Sequence, residues 1–219
     1  MAFVRASIAA AGVLLAVQLA HAESDLDGVW MLDQLTGDPY VLTEAGQKQM
    51  DAYDYMTDDP ALKCSPASFA RIVFTPQTYM EIRVLDEAVE IDYEFMDVKR
   101  RVLLDAELTT RSAPHSVPVH PHLGRSIARF ESSELVIETE GYEPGVITTL
   151  NQRAGMPRSA GMWTEERFSV EGDQLSIELV HVDPVYYEGE VVLHATYLKT
   201  DDELLEFGCD LEDADHYNE

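Results

Sequence analysis

The strongest signal along the chain is a two-residue alternation of apolar and polar positions. In 88–95, Val89, Ile91, Tyr93 and Phe95 alternate with Glu90, Asp92 and Glu94. In 174–181, Leu175, Ile177, Leu179 and His181 alternate with Ser176, Glu178 and Val180. In 190–198, Val191, Leu193, Ala195 and Tyr197 form one face; Val192, His194, Thr196 and Leu198 form the other. A strand turns successive side chains to opposite faces, so this period predicts half-buried β-strands. Weaker versions of the pattern predict strands at 27–32, 70–75, 79–86, 98–104, 125–131, 134–140, 163–170 and 203–208. Thr75-Pro76, Glu171-Gly172-Asp173 and Thr200-Asp201-Asp202 supply turns between them. One segment has helical spacing instead. Thr43 can cap it, Glu44 suits the first turn, Ala45, Met50 and Tyr53 share a face, and Asp58-Asp59-Pro60 ends it.

About ten short strands with one short helix predict an all-β domain, an antiparallel barrel or sandwich. Two long connections interrupt the rhythm. One, 106–124, carries Pro114, Pro118 and Pro121; the other, 141–162, carries Pro144, Gly145, Gly155, Pro157 and Gly161. Long connections in a compact β domain are where binding sites tend to sit.

The first 22 residues do not belong to this pattern. Arg5 is followed by an apolar run from Ile8 to Ala20, and Ala20-His21-Ala22 fits a signal-peptidase site. The run is short for a membrane span, and Glu23, Asp25 and Asp27 follow directly. The expectation is a cleaved bacterial signal peptide at 1–22 and one domain at 23–219 with an acidic tail. No cysteine follows the cleavage site, so the sequence predicts a soluble periplasmic or secreted product without a stable membrane anchor.

Charge narrows the partners. The chain has 41 acidic and 15 basic residues, a net charge of −26. Such a surface repels phosphate backbones and excludes nucleic acid as a partner. A cationic partner is one reading of this charge, but the acidic residues are spread along the chain, which favours adaptation to a saline habitat. Cys64 and Cys209 are the two cysteines. In an oxidising compartment such a pair is expected to be bonded, tying the C-terminal strand to the start of the sheet; a catalytic thiol is the alternative.

Leu26-Asp-Gly-Val-Trp-Met-Leu32 resembles the first strand of a lipocalin-like barrel, in which a Gly-x-Trp lays an indole across the closed end. That resemblance implies a calycin-type barrel, with Gly28 and Trp30 in those places. A broader resemblance is to a large family of exported, functionally uncharacterised bacterial β-rich proteins. It is carried by Arg100-Arg101, His120-Pro121, Gly124, Ser126, Arg129-Phe130-Glu131, Leu135-Val136, Thr139, Gly141-Tyr142, Gly155, Pro157, Ser159, Glu166-Arg167-Phe168, Asp183-Pro184, Glu206 and Cys209. Cys64 also falls where that family has its other cysteine. The chain departs from the pattern at Arg125 and Arg158, where many members have His, and it lacks their Trp-Asp pair near 148–152. Membership implies export and a β-rich fold but names no reaction.

Several residues can carry chemistry. Arg100, Arg101, Arg129 and Arg167 are scarce cations in predicted strands, where burial would demand a carboxylate or a bound anion. Glu131, Glu134 and Glu166 are the expected partners, either in salt bridges within the barrel or around a carboxylate-clamping pocket. His115, His120 and His122 share a proline-rich loop, and His120 and His122 point the same way in an extended segment. They are weak metal candidates, with His181 or His194 as a third ligand; a solvated loop is the ordinary reading, and no metal or other cofactor is expected. Tyr93, Glu94, Glu166, Asp183 and His194 can form acid–base pairs. The tail Asp210–Asp215 lacks the glycine and distal glutamate of a calcium hand. Gly-x-Ser-x-Gly, His-Glu-x-x-His, phosphate-loop and dinucleotide glycine motifs are absent, which removes those enzyme classes.

The sequence therefore predicts an exported barrel that binds a small apolar or amphipathic molecule in its interior. Trp30, Arg100, Arg129, Arg167 and His194 are the expected ligand contacts. One alternative is a cofactor-independent isomerase, lyase or cyclase acting through His120, Glu166, Arg101 and Tyr93. Another is an interaction module of the cell envelope, marked by an exposed apolar patch. The oligomeric state is not encoded in any of these features.

Overall fold

A computed structural model describes residues 25–76, 78–105, 121–150 and 154–209. Nine strands close into a barrel: β1 (Gly28–Gly37), β2 (Tyr79–Val84), β3 (Ala88–Tyr93), β4 (Val98–Leu104), β5 (Arg125–Glu131), β6 (Glu134–Glu140), β9 (Trp163–Glu171), β10 (Gln174–Val182) and β11 (Val191–Thr200). The order around the wall is β1-β11-β10-β9-β6-β5-β4-β3-β2. A separate hairpin, β7 (Gly145–Leu150) and β8 (Ala154–Arg158), leaves the wall between β6 and β9.

The neighbours pair antiparallel with one exception. β4 and β5 run parallel, and only Leu103↔Ile127 and Leu104↔Ala128 are in register. Parallel neighbours need a long connection rather than a tight turn, and β4 ends at Leu104 while β5 begins at Arg125. The all-antiparallel expectation is corrected at this seam.

Alternation sorts the side chains. Trp30, Met80, Ile82, Val89, Ile91, Leu135, Ile137, Phe168, Leu175 and Ile177 point inward and form one buried cluster. The wall's polar partners point outward. Val136 is an instructive exception: it faces out and is still fully buried. Its cross-strand neighbours are Arg129 and Arg167, whose aliphatic stems cover it while their guanidinium groups reach water.

The two barrel ends differ. At one end lie the tight β2–β3, β5–β6 and β9–β10 turns and the start of β1. There Trp30 is buried, its indole Nε1 donates to the Leu26 carbonyl at 2.9 Å, and the Lys199 ammonium stands 5.0 Å from its ring. At the other end lie the β7–β8 hairpin and three short helices, α1 (Glu44–Asp51), α2 (Tyr55–Asp58) and α3 (Phe69–Val73). The Thr43 cap of α1 is as expected, its side chain accepting from Gly46 N. The helix ends at Asp51, before Asp58-Asp59-Pro60; α2 lies in the interval and a 3₁₀ turn follows at Pro60–Lys63.

α3 corrects the strand expected at 70–75. Ile72-Val73-Phe74 reads as a strand by propensity, but Ser68 caps a helix there by accepting from Arg71 N. Phe69, Ala70, Ile72 and Val73 are buried, and Tyr197 inside the barrel donates its hydroxyl to Val73 O at 2.5 Å. A short helix buried on nearly every side shows no amphipathic stripe, so its period is illegible.

The segment 203–208 is extended without a ladder and is held by Leu205 N donating to Glu94 and Phe207 N donating to Asp97. Cys209 at its end forms a disulfide with Cys64, with a Cα–Cα distance of 5.7 Å. The bridge therefore joins a strandless tail to the loop before α3, not a strand to the start of the sheet. The signal-peptide assignment, the acidic tail beyond Cys209, and His115 and His120 lie outside the described residues. Among the described residues no helix is long and apolar enough to cross a membrane.

Candidate functional site in the barrel interior

Five strands, β3, β4, β5, β6 and β9, bring polar side chains into the half of the barrel nearest the helices. Arg100 points inward because it shares the face of Val98 and Val102. It is 2% exposed, and Glu166 is 0% exposed. Their charges meet at 2.6 Å between Nη2 and Oε2. The two Nη2 hydrogens are directed elsewhere, to Ser126 Oγ at 2.9 Å and Thr139 Oγ1 at 3.1 Å. The Glu166 contact is therefore a charge contact rather than an aligned hydrogen bond. The guanidinium stacks on Phe69 of α3, 3.7 Å from the ring centroid.

This cluster is incompletely satisfied. Arg100 Nε and Nη1, both Glu166 oxygens and the Tyr93 hydroxyl are buried without a hydrogen-bond partner among the described residues. Burial works against the Arg100 charge, and the Glu166 carboxylate more than offsets it, so the guanidinium pKa is raised. Burial pushes the Tyr93 phenol well above its ordinary value, with Arg100 opposing and Glu166 adding to the shift. Tyr93 is therefore a neutral donor at physiological pH.

A polar seam runs from this pair toward the hairpin. Thr164 faces Thr139 across β6 and β9 and shares a hydrogen bond of 2.6 Å with the Tyr142 hydroxyl. The Tyr142 ring lies 5.2 Å from the Arg158 guanidinium. Desolvation pushes Tyr142 up to about 12. Arg158 is buried; it donates Nε to Glu143 O at 3.0 Å and Nη1 to Ala67 O at 2.7 Å, and its Nη2 stands 3.4 Å from His122 Nδ1. Beyond it, Asp183 accepts from Ser159 N and Oγ, and His181 is buried with Nδ1 unpartnered.

The candidate residues divide accordingly. Arg100, Glu166 and Tyr93 converge in the interior. Trp30 is inside but near the opposite end, with its polar atom satisfied. Arg101, Arg129, Arg167 and His194 are corrected, because strand alternation places them on the outer wall. Arg101 is 46% exposed and pairs with Glu90 at 2.6 Å. Arg129 meets Glu131 and Glu138 at 2.7 and 2.5 Å, and Arg167 meets Glu165 and Glu131 at 2.8 and 3.0 Å. His194 is 51% exposed, 3.7 Å from Glu178. The expected catalytic set is thus divided: Tyr93 and Glu166 are together, Arg101 faces out, and His120 is outside the described residues. His122 turns Nδ1 to a guanidinium, an arrangement that opposes a metal ion. Arg158, Tyr142 and Thr164 were not among the expected site residues; Arg158 sits in a segment read as a loop, where no period signals inward facing.

No family model matches the chain, and no curated protein matches it. Among solved structures, the chain is similar to one described as REP1-NXSQ fatty acid transporter, with 11% identity over 82% of this chain and 99% of that chain, at a TM-score of 0.42. It is also similar to wild-type fluorescent protein UnaG, with 12% identity over 81% of this chain and 98% of that chain, at a TM-score of 0.41.

Proposed function

We propose that this is an exported, lipocalin-like barrel protein that takes a small amphipathic molecule, its polar end held by Arg100, Glu166 and Tyr93. The observation that carries the reading is the set of five polar atoms on those three side chains that lack a hydrogen bond, four of them without an ion-pair contact as well. Each buried polar atom left unpaired costs about 1–3 kcal/mol, so a ligand that satisfies them recovers a large free energy. Arg100 and Glu166 cancel in charge while exposing donors and acceptors side by side. That pairing fits a neutral head group bearing a donor and an acceptor together, such as an amide, better than a carboxylate. The leader at 1–22, the disulfide and the family resemblance support export.

Native mass spectrometry of the protein purified with its disulfide intact tests the reading, followed by titration with octanamide, octanoate and octanol. Octanamide is expected to bind best and to shift the Arg100 Nε–H resonance; Tyr93→Phe is expected to weaken it about tenfold, the loss of one neutral hydrogen bond. Repeated recovery of empty protein, with the Arg100 resonance unmoved by all three compounds, overturns it.

A second reading has one observation in its favour. Tyr93 and Glu166 form an enclosed acid–base pair of the type a cofactor-independent isomerase needs. It requires turnover of a bound amphipathic carbonyl compound that Glu166→Gln abolishes while binding survives.

A further inference from the structure

We infer that Arg158, with His122 and Gly145 beside it, forms a second site that takes a small oxyanion at the hairpin end of the barrel. Arg71, Arg83, Arg100, Arg101, Arg129 and Arg167 each have a carboxylate oxygen at 2.8 Å or closer. Arg158 is as buried as Arg100, yet among the described residues it has none within ion-pair distance. Arg125 also lacks one but is only partly buried, so among the described residues Arg158 is the fully buried arginine without an ion pair. The neighbouring Asp183 is already committed to Ser159 and to Val185 N. Glu143 and Asp183 act on Arg158 only from beyond ion-pair distance and do not offset its burial, and a buried charge without a direct partner is among the costlier features a fold can keep.

Three separate segments hold the guanidinium in place. Ala67 precedes α3, Glu143 links β6 to β7, and His122 precedes β5; each contributes a neutral contact. A guanidinium has five N–H donors, and three are directed at these contacts, which leaves one on each terminal nitrogen. Gly145 borders that edge. A Cβ there would lie 3.1 Å from Arg158 Nη2 and 3.8 Å from His122 Nδ1, so a side chain at 145 would press on that edge and the glycine spares it. The shape and charge suit one carboxylate or phosphate group, with two parallel N–H donors and an imidazole alongside. This site stands independently of the amphipathic-ligand reading, because Arg100 and Glu166 take no part in it.

The test uses acetate and inorganic phosphate as separate probes against chloride at constant ionic strength, read by calorimetric titration and by the rise in Tm. Wild type is expected to bind one equivalent, with the Arg100 Nε–H resonance unmoved. Binding by acetate alone assigns a carboxylate site, and binding by phosphate alone assigns a phosphate site; either supports the inference. Arg158→Gln and Gly145→Val are each expected to weaken binding at least tenfold, and Arg129→Gln on the outer wall is expected to leave it unchanged. If Arg158→Gln fails to fold, Gly145→Val and His122→Asn decide the matter. No saturable binding by either probe in wild type, or wild-type binding by Arg158→Gln or by Gly145→Val, overturns the inference.

Discussion

Glu166 is the residue on which the interior charge balance turns. Glu166→Gln leaves Arg100 buried and uncompensated, and equilibrium urea unfolding is expected to show a loss of about 3–5 kcal/mol. Replacing both partners by apolar side chains, Arg100→Met with Glu166→Leu, is expected to restore stability to within about 1 kcal/mol of wild type or above it. His181 sets the acid limit. Burial, reinforced by Arg158 and opposed by a backbone hydrogen bond to Val191, lowers its pKa to about 4. The unfolded chain takes up that proton near pH 6.5 and the folded one does not, so stability falls as pH drops from 6.5 toward 4. The shift corresponds to roughly 3 kcal/mol across that window. His181→Asn is expected to flatten the slope of urea stability against pH between those limits. Arg100 and Arg101 also show what parity can reveal. Strand 98–104 places Val98, Arg100 and Val102 on one face, so the choice of inner arginine was legible. Strand 125–131 has Ile127 and Ala128 adjacent, and its parity was not.

At the scale of elements, the strands with strict alternation stand where the pattern put them, because each buries one face and wets the other. The departures share a cause. α3 is surrounded by core, and β7–β8 is a hairpin outside the wall whose Val146, Ile147, Met156 and Pro157 are all buried; neither has a wet face to impose a period. The parallel β4–β5 seam was illegible because pairing direction leaves no mark on composition. Ser68 is the hinge of this region: it caps α3 and also donates its hydroxyl to Ile147 O in β7. Ser68→Ala is expected to cost about 1–2 kcal/mol in urea unfolding, the upper part of the range for a cap because a second hydrogen bond goes with it.

For the whole molecule, the Cys64–Cys209 bridge closes a loop spanning 145 residues. The chain-entropy model assigns such a loop about 5 kcal/mol, and measured bridges commonly give about 2–4. Reduction, or the double change Cys64→Ser with Cys209→Ser, is expected to lower stability by that amount in chemical denaturation while the barrel's far-ultraviolet signature is retained at low denaturant. The bridge lands on the loop before α3 and on a strandless tail, so the helical end is expected to depend on it more than the wall does.

The β4–β5 seam has one more consequence. A closed barrel is only as continuous as its least-bonded join, and here two residue pairs near Leu103 and Leu104 complete the circle. Toward the helical end, where the ladder is missing, the Arg100–Ser126 side-chain bond spans the gap in its place. The same guanidinium that heads the interior cluster thus ties β4 to β5 where backbone pairing is missing. Amide hydrogens of Val98 to Val102 on the seam side are expected to exchange faster than those of β10 in the middle of its sheet. Arg100 thus serves the wall and the interior at once.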